Sequence, residues 1–511
     1  MSPWTRGDID PALDAWMAAG AGSGAPPRAC HETPIAKVYV FEDRVLKLKK
    51  PVDFGFLDFS TLDKREWATR RELEFNGRTA PEIYRAVHAV TRGPEGFRLE
   101  AADEMPEGGP RGGIVDWALE MAPFDSQSIL ANHPEQVDGD MAERLGREIA
   151  HEQAGAPLRP VGRGAAGLGY VLNSNAEQLR SLESAFGVEP VERLLADSRA
   201  AFERHAGLLD RRRDAGFVRR CHGDLHLGNI MVEDGKPTPF DCIEFSDVLG
   251  EIDVMYDTAF LLMDLAFRGR GAAANRVLNA WLDQSARCFG SERFEGLAAL
   301  PLFLSVRAAV RAHVTGHDGD PQVARRYVEA AQAHLAGPKP VLYALGGLSG
   351  SGKSTLARRV AVKLGPAPGA VILRTDEIRK RLWNAAPTEP LPKAAYAPEQ
   401  SERVYGLMLQ EARAALEAGW PVILDAAFLK PGQRDAAAAL AQAVGVSFQG
   451  LWLEAPAEVL RERVRGRSGD ASDADEAVLE GQLAKDLGHI DWRRIDATTQ
   501  SEDQLADALR A

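Results

Sequence analysis

Apolar and polar positions follow two different rhythms along this chain. Lys37-Val38-Tyr39-Val40-Phe41 and Arg44-Val45-Leu46-Lys47-Leu48-Lys49 alternate on either side of Glu42-Asp43, the pattern of a β-hairpin. Residues 61–78 are charged and periodic at helical spacing, and the run stops ahead of Pro81. Residues 97–101 and 114–121 alternate again as strands, with Pro106 to Gly113 as the loop between them. From Asp140 onward the helical period dominates, interrupted near residues 156–170 by Pro and Gly. Residues 217–247 read as loop and short strand, and helices resume from about 253 to 336. The pattern predicts a small β-rich lobe followed by a larger helical lobe. Residues 1–29 end in a Gly-, Ala- and Pro-rich run and are expected to form a flexible lead-in.

The rhythm changes after Gly337-Pro338-Lys339-Pro340, a short, stiff connector. Buried-type strands at 341–345, 370–374, 421–425 and 448–453 then alternate with helical segments, including the Ala-rich run 435–443. That order predicts a parallel sheet covered on both faces. The expected division is a lead-in at 1–29, a first domain at 30–336, a linker at 337–340 and a second domain at 341–511.

A chain of 511 residues has room for two or three separate cores. The formal net charge of −13 argues against a nucleic-acid coat or an acidic membrane surface as the main partner. Residues 338–511 carry 22 basic and 23 acidic side chains, against 39 and 51 in the first 337, so the excess lies in the first part. The basic clusters of the second part therefore stand on a near-neutral background. Cys30, Cys221, Cys242 and Cys288 are too scattered for a disulfide framework and read as free thiols. Asp8 and Asp10 lie where a signal peptide would need an apolar run. No apolar run reaches the ~18 residues that span a bilayer. A cytoplasmic location is expected.

The most specific chemistry is Gly347-Leu348-Ser349-Gly350-Ser351-Gly352-Lys353-Ser354, set between a strand and a helix that opens with Thr355. This is a P-loop: turned-in backbone N–H groups and a helix N-terminus together cradle phosphate. Gly347, Ser349, Gly350, Ser351, Gly352, Lys353 and Thr355 are candidate nucleotide contacts. Ser354 is a candidate for both nucleotide and magnesium.

A second constellation lies in Cys221-His222-Gly223-Asp224-Leu225-His226-Leu227-Gly228-Asn229. Asp224 and Asn229 are five apart, and Asp241 follows twelve residues later, after Pro239-Phe240. Transfer of a phosphoryl group needs a carboxylate to accept a hydroxyl proton, and an amide and a carboxylate to hold magnesium against ATP. Zinc is a poor alternative, because no Cys-x-x-Cys pair accompanies these residues. His222 reads as a histidine that braces the loop. With its spacing, about residues 30–335 resemble the aminoglycoside phosphotransferase group of the protein-kinase-like fold. The resemblance implies Asp224 as catalytic base and Asn229 and Asp241 as magnesium ligands. It also implies Lys47 on the ATP phosphates, paired with Glu72, with Lys49 and Glu74 as rivals on the same strand and helix. Glu120 and Met121 would form the adenine-contacting hinge. No Gly-x-Gly-x-x-Gly loop precedes Lys47, and His-Gly-Asp replaces the His-Arg-Asp of protein kinases, which points away from a protein substrate.

In the second part, Asp376 and Arg379 lie one helical turn apart after a strand, and suit a hydroxyl acceptor and an anionic group on it. Val422-Ile423-Leu424-Asp425 ends a strand with a carboxylate placed to act on magnesium, directly or through water. Arg461, Arg463, Arg465 and Arg467 crowd around Gly466, as a lid over ATP or as a solvated face pairing with Glu458 and Glu462. Arg461 and Arg465 are the candidate nucleotide contacts in it. These features resemble small P-loop kinases of the gluconate-kinase, zeta-toxin and polynucleotide-kinase type, with an AAA-like P-loop domain. The expected fold is an α+β two-lobed protein-kinase-like domain followed by an α/β P-loop NTPase domain with a parallel sheet. The expected activity is transfer from ATP, with Mg2+, to hydroxyls of small molecules at two sites. The alternatives are a nucleic-acid 5′-hydroxyl acceptor for the second site, which its near-neutral charge disfavours, and an ATP-sensing regulatory role for one of the two domains.

Overall fold

A computed structural model describes residues 7–102, 113–159, 162–466 and 471–498. The expected loop from Pro106 falls outside these residues up to its last member, Gly113. The chain divides into two compact units. One comprises Met1–Pro134, Ala156–Arg163 and Val218–Ile252; the other comprises Glu135–Gly155, Gly164–Phe217 and Asp253–Ala511.

The first unit is built on a six-stranded antiparallel sheet. Its strands are β1 (Ala29–Glu32), β2 (Ala36–Val40), β3 (Val45–Lys49), β4 (Tyr84–Gly93), β5 (Gly96–Ala101) and β6 (Ile114–Met121), in the order β1-β2-β3-β6-β4-β5. Short strands follow: β7 (Val218–Arg220) with β10 (Glu251–Asp253), and the hairpin of β8 (Ile230–Glu233) and β9 (Lys236–Pro239).

Residues 11–18 depart from the expected flexible lead-in. They form helix α1 (Pro11–Ala18), because Asp10 accepts hydrogen bonds from Ala12 N and Leu13 N and Pro11 presets the first turn. Its Leu13 and Met17 are buried with Tyr39, Leu46 and Leu48 against one face of the sheet. On the other face lie Val45, Val87 and Leu119, toward helix α2 (Leu62–Thr79). Covered on both faces, β3 alternates weakly, and so does β4, which the polar–apolar rhythm did not reveal.

The second unit contains the helices α3 (Gly139–Gly155), α4 (Gly164–Ser181), α5 (Glu183–Phe186) and α6 (Val188–Asp214). After α7 (Asp247–Gly250), which belongs to the first unit, come α8 (Val254–Phe267), α9 (Gly271–Phe289), α10 (Leu300–His317) and α11 (Pro321–His334). Next is a five-stranded parallel sheet of β11 (Val341–Gly347), β12 (Val371–Arg374), β13 (Val422–Asp425), β14 (Ser447–Glu454) and β15 (Arg493–Asp496). The strand order is β12-β13-β11-β14-β15, so the P-loop strand β11 is central. The helices α12 (Lys353–Ala361), α13 (Thr375–Leu382), α14 (Pro398–Glu417), α15 (Pro431–Val444), α16 (Ala457–Arg465) and α17 (Glu476–Leu483) complete it.

The edge strand β12 is not left open. Helix α9 lies along it, and buried Asn275 donates to the carbonyls of Pro368 (2.7 Å) and Ala370 (2.9 Å). Asn279 Oδ1 accepts from Ile372 N at 2.7 Å. Two side-chain amides thus satisfy backbone groups that a sheet edge otherwise presents unpaired.

Candidate functional sites

In the first unit the strand period puts Lys47 and Lys49 on the same face of β3, and both reach Glu72 of α2. Lys47 Nζ lies 2.7 Å from Glu72 Oε1, and Lys49 Nζ lies 2.6 Å from Glu72 Oε2. Glu74 is exposed. The lysines differ in their second partner: Lys47 meets Asp241 Oδ1 at 2.9 Å, and Lys49 pairs with Glu244.

The charges are set by competition between burial and pairing. Burial works against the Lys47 ammonium, but Asp241 and Glu72 outweigh it and hold its pKa well above the ordinary lysine value. Burial likewise opposes ionisation of Glu72, yet Lys47 and Lys49 bring its pKa down to about 2. At Glu244 burial wins and the pKa is raised in spite of Lys49.

Asn229 Nδ2 donates to both the backbone O and Oδ2 of Asp224, each at 2.9 Å, which fixes the carboxylate. His226 Nε2 stands 3.5 Å from the same Oδ2. His222 accepts from Asp224 N through Nδ1 (3.3 Å), and its Nε2 lies 2.9 Å from the Phe240 carbonyl oxygen. It ties the Asp224 loop to the residue before Asp241. Asp241 itself has a left-handed backbone, φ +58°, which Asp tolerates better than most residues. Its N–H donates to Tyr84 Oη at 3.0 Å. Sequence reasoning assigned nothing to Tyr84, which lies far away along the chain.

Glu120 and Met121 end β6, in register with Leu46 and Val45 of β3. The Glu120 side chain is held by His88 at 2.7 Å and Arg85 at 3.7 Å, and Met121 is buried.

In the second unit the P-loop joins β11 to α12. Gly347 has φ +143°, and a Cβ there would lie 2.6 Å from the Leu453 carbonyl oxygen; at Gly350, with φ +83°, it would meet the Leu460 carbonyl oxygen at 2.7 Å. Gly352 forms the N-cap of α12. Lys353 Nζ folds back onto the Leu348 carbonyl at 2.9 Å and Ser351 Oγ at 3.4 Å, within the loop it is expected to serve. Ser349 N donates to Gln482 of α17 at 2.8 Å, a contact with no local sequence signal.

A cavity of about 1310 Å³ opens over the loop. Ser349, Thr355, Asp376, Arg379 and Asp425 all line it. Arg379 is 7% exposed, lies over the Tyr396 ring at 4.7 Å and donates to the Ala395 carbonyl. Asp140, Glu143 and Arg276, from α3 and α9 of the same unit, also line the cavity. Glu143 holds Arg276 at 2.9 Å and Arg358 of α12 at 3.4 Å. The sequence offered no hint of this wall, because its residues lie far along the chain from the P-loop.

The candidate lid arginines Arg461 and Arg465 carry ion pairs to α17. Arg461 pairs with Glu480 at 2.7 Å and Arg465 pairs with Glu476, so neither lines the cavity. The reason is spacing: 461 and 465 on α16 match 476 and 480 on α17, two rungs one helical turn apart. Arg463 does line the cavity and reaches the carbonyls of Gly350 (3.5 Å) and Ala497 (3.1 Å). Arg467 lies outside the described residues.

Arg374, the last residue of β12, received no role from its sequence context. It is 4% exposed, and its guanidinium bonds Asp425 Oδ2 (3.1 Å), Glu377 Oε1 (3.0 Å) and Ser354 Oγ (3.2 Å).

Comparison with known proteins bears on both units. Residues 116–297 match the phosphotransferase enzyme family, and residues 342–485 match an AAA domain family. Uncharacterised proteins of Mycobacterium tuberculosis and Mycobacterium bovis are each 29% identical over 497 residues, covering 93% of this chain and 94% of the relative. Among solved structures, a sugar kinase from Janibacter is 25% identical, with a TM-score of 0.25, over 33% of this chain and 92% of its own. A choline/ethanolamine kinase family protein from Mesorhizobium loti is 15% identical, with a TM-score of 0.37, over 63% of this chain and 97% of its own.

Proposed function

We propose that this chain, which joins a segment of the phosphotransferase enzyme family to a P-loop AAA domain, moves the γ-phosphate of ATP to hydroxyl groups of small molecules at two separate sites. The observation that supports the reading is that each unit gathers its own set of candidate residues: Lys47–Glu72–Asp241 with Asp224–Asn229 in one, and the P-loop with Asp376, Arg379 and Asp425 in the other.

At the first site Asp224 is the base. Asn229 holds its carboxylate in place, and Asp224 takes the proton of the acceptor hydroxyl. Lys47 binds the α- and β-phosphates, with Glu72 keeping it charged and in place. Glu120 and Met121 offer backbone to the adenine. At the second site the P-loop amides and Lys353 grip the phosphates, with Arg463, which lines the cavity and reaches the Gly350 carbonyl, in place of Arg461 and Arg465. Asp376 takes the acceptor proton and Arg379 orients the acceptor.

The donor sets fit magnesium. Asn229 with Asp241, and Ser354 with Asp425, offer the oxygen ligands a hard divalent cation takes, and in each set a side-chain cation, Lys47 or Arg374, already lies against the donors. Bound with ATP, the metal supplies neutralisation of phosphate charge. No single helix among the described residues is long and apolar enough to cross a membrane, and a cytoplasmic location accords with the free cysteines.

The test uses the full chain and a library of sugars, polyols, amino alcohols and nucleosides. Asp224→Asn is expected to abolish ATP-dependent phosphorylation of one acceptor class and spare the other, and Lys353→Ala to do the reverse. If both variants suppress the same product equally, or if no hydroxylated acceptor is phosphorylated, the two-site reading fails.

A further inference from the structure

Asp425 is 4% exposed, and a carboxylate so placed is costly unless a cation or several donors meet it. Arg374 is the cation it has. The two residues are directly paired in register at the C-terminal ends of β12 and β13, so the sheet itself brings the guanidinium to the carboxylate. The same guanidinium spans to Ser354 Oγ at the start of α12. It therefore cross-links, through one planar group, the two side chains assigned above to magnesium. Its third contact is Glu377 in the first turn of α13, which burial keeps raised in pKa although Arg374 opposes this. Glu377 is not among the residues that line the cavity.

A guanidinium and a divalent cation repel, so contact of both with the Ser354–Asp425 pair at once is disfavoured. Of the Asp425, Ser354 and Glu377 contacts of the guanidinium, the one to Glu377 stands clear of the metal donors. Giving up Asp425 and Ser354 while keeping Glu377 asks for rotation within one side chain.

We propose that Arg374 is a tethered cation that occupies the Ser354–Asp425 pair while the P-loop is empty, and retreats onto Glu377 when nucleotide and metal arrive together. The inference rests on the assignment of that pair to the metal. Arg374 acts as a positioning residue: it cross-links the two donors, and it prevents metal from settling there without phosphate. Free divalent cations then bind this site weakly, and the phosphates of ATP supply the additional anionic oxygens that displace the arginine.

The test measures Mn2+ binding by electron paramagnetic resonance on the full chain. An Asp241→Asn background removes the other candidate metal site. Without nucleotide, Arg374→Met is expected to bind Mn2+ at least tenfold more tightly than the Arg374 protein, and adding Asp425→Asn should erase that gain. Unchanged or weaker Mn2+ binding in Arg374→Met, with Asp425→Asn still impairing Mn2+ binding beside a non-hydrolysable ATP analogue, overturns the tether and leaves the metal assignment standing. If Asp425→Asn and Ser354→Ala alter Mn2+ binding in neither condition, the assignment itself is lost. Should Arg374→Met not fold, Glu377→Gln reads the same device from the other end. Removing the retreat is expected to weaken Mn2+–analogue binding severalfold while Mn2+ alone stays weak, and an unchanged affinity for the Mn2+–analogue pair overturns the proposal.

Discussion

Glu72 shows how a single side chain can be placed by sequence and understood only in space. Its helical position after the Lys47 strand marks it, with Glu74 as a rival and Lys49 as a rival for Lys47. The fold answers by geometry: one buried carboxylate receives both lysines, and the lysines divide between Asp241 and Glu244. Because the pKa of Glu72 is depressed to about 2 from an ordinary 4.5, its ionised form is favoured by folding. The stability this gives is fully present above about pH 4.5 and is lost as the pH falls toward 2. Glu244, with its raised pKa, acts with the opposite sign, so the comparison must be between proteins and not along one curve. Melting temperatures between pH 6 and 3 are expected to fall less steeply in Glu72→Gln than in the parent. At neutral pH the same change leaves two buried ammonium groups short of a counter-charge, at a cost of about 3–5 kcal/mol measurable by urea unfolding.

Among elements, the contact of α9 with β12 has the most consequence for function. β12 ends in Arg374 and leads straight into Asp376 and Arg379, so whatever steadies that strand steadies this side of the cavity. Asn275 and Asn279 are one helical turn apart and meet alternate backbone groups of the strand edge. A second tie follows in α13, where Arg381 joins Asp283 of α9 at 2.9 Å. Asn275→Ala withdraws a buried donor from two carbonyls and is expected to cost about 1–3 kcal/mol in denaturant unfolding. Asn279→Ala is expected to speed hydrogen exchange at Ile372 N–H, read residue by residue, with little change in the central strand β11. The polar–apolar rhythm placed helix across the α9 stretch and a buried-type strand at β12. It contained nothing to say that the first would close the edge of the second.

For the whole molecule, the connector at 337–340 marks a change of rhythm, yet the compact unit that holds the P-loop also takes in α3, α4 to α6 and α8 to α11. A fragment of residues 338–511 would lose the amides that pair with β12 and the Asp140, Glu143 and Arg276 wall of its cavity. Such a fragment is expected to form aggregates at micromolar concentration through the bared edge, seen by size-exclusion chromatography, where the full chain elutes as a single species. A well-behaved fragment with the melting temperature of the full chain would show that the helical part adds nothing to the stability of the sheet.

What the sequence determined by itself was chemistry that depends on local spacing. The P-loop, the Asp224–Asn229–Asp241 interval and the Lys47 strand are short-range patterns, because a loop that cradles phosphate or a strand that presents a lysine is built from neighbouring residues. The order of elements was legible for the same reason, since periods of two and 3.6 residues are local properties. Tertiary structure decided which groups share a charge and which surfaces meet. Arg461 and Arg465 turned to α17 and not to the cavity, Arg374 came to bridge Ser354 and Asp425, and α9 came to seal β12. Each of these joins residues brought together by folding, where the partner of a buried charge or an unpaired backbone group is chosen by position in space and leaves no trace in the spacing along the chain.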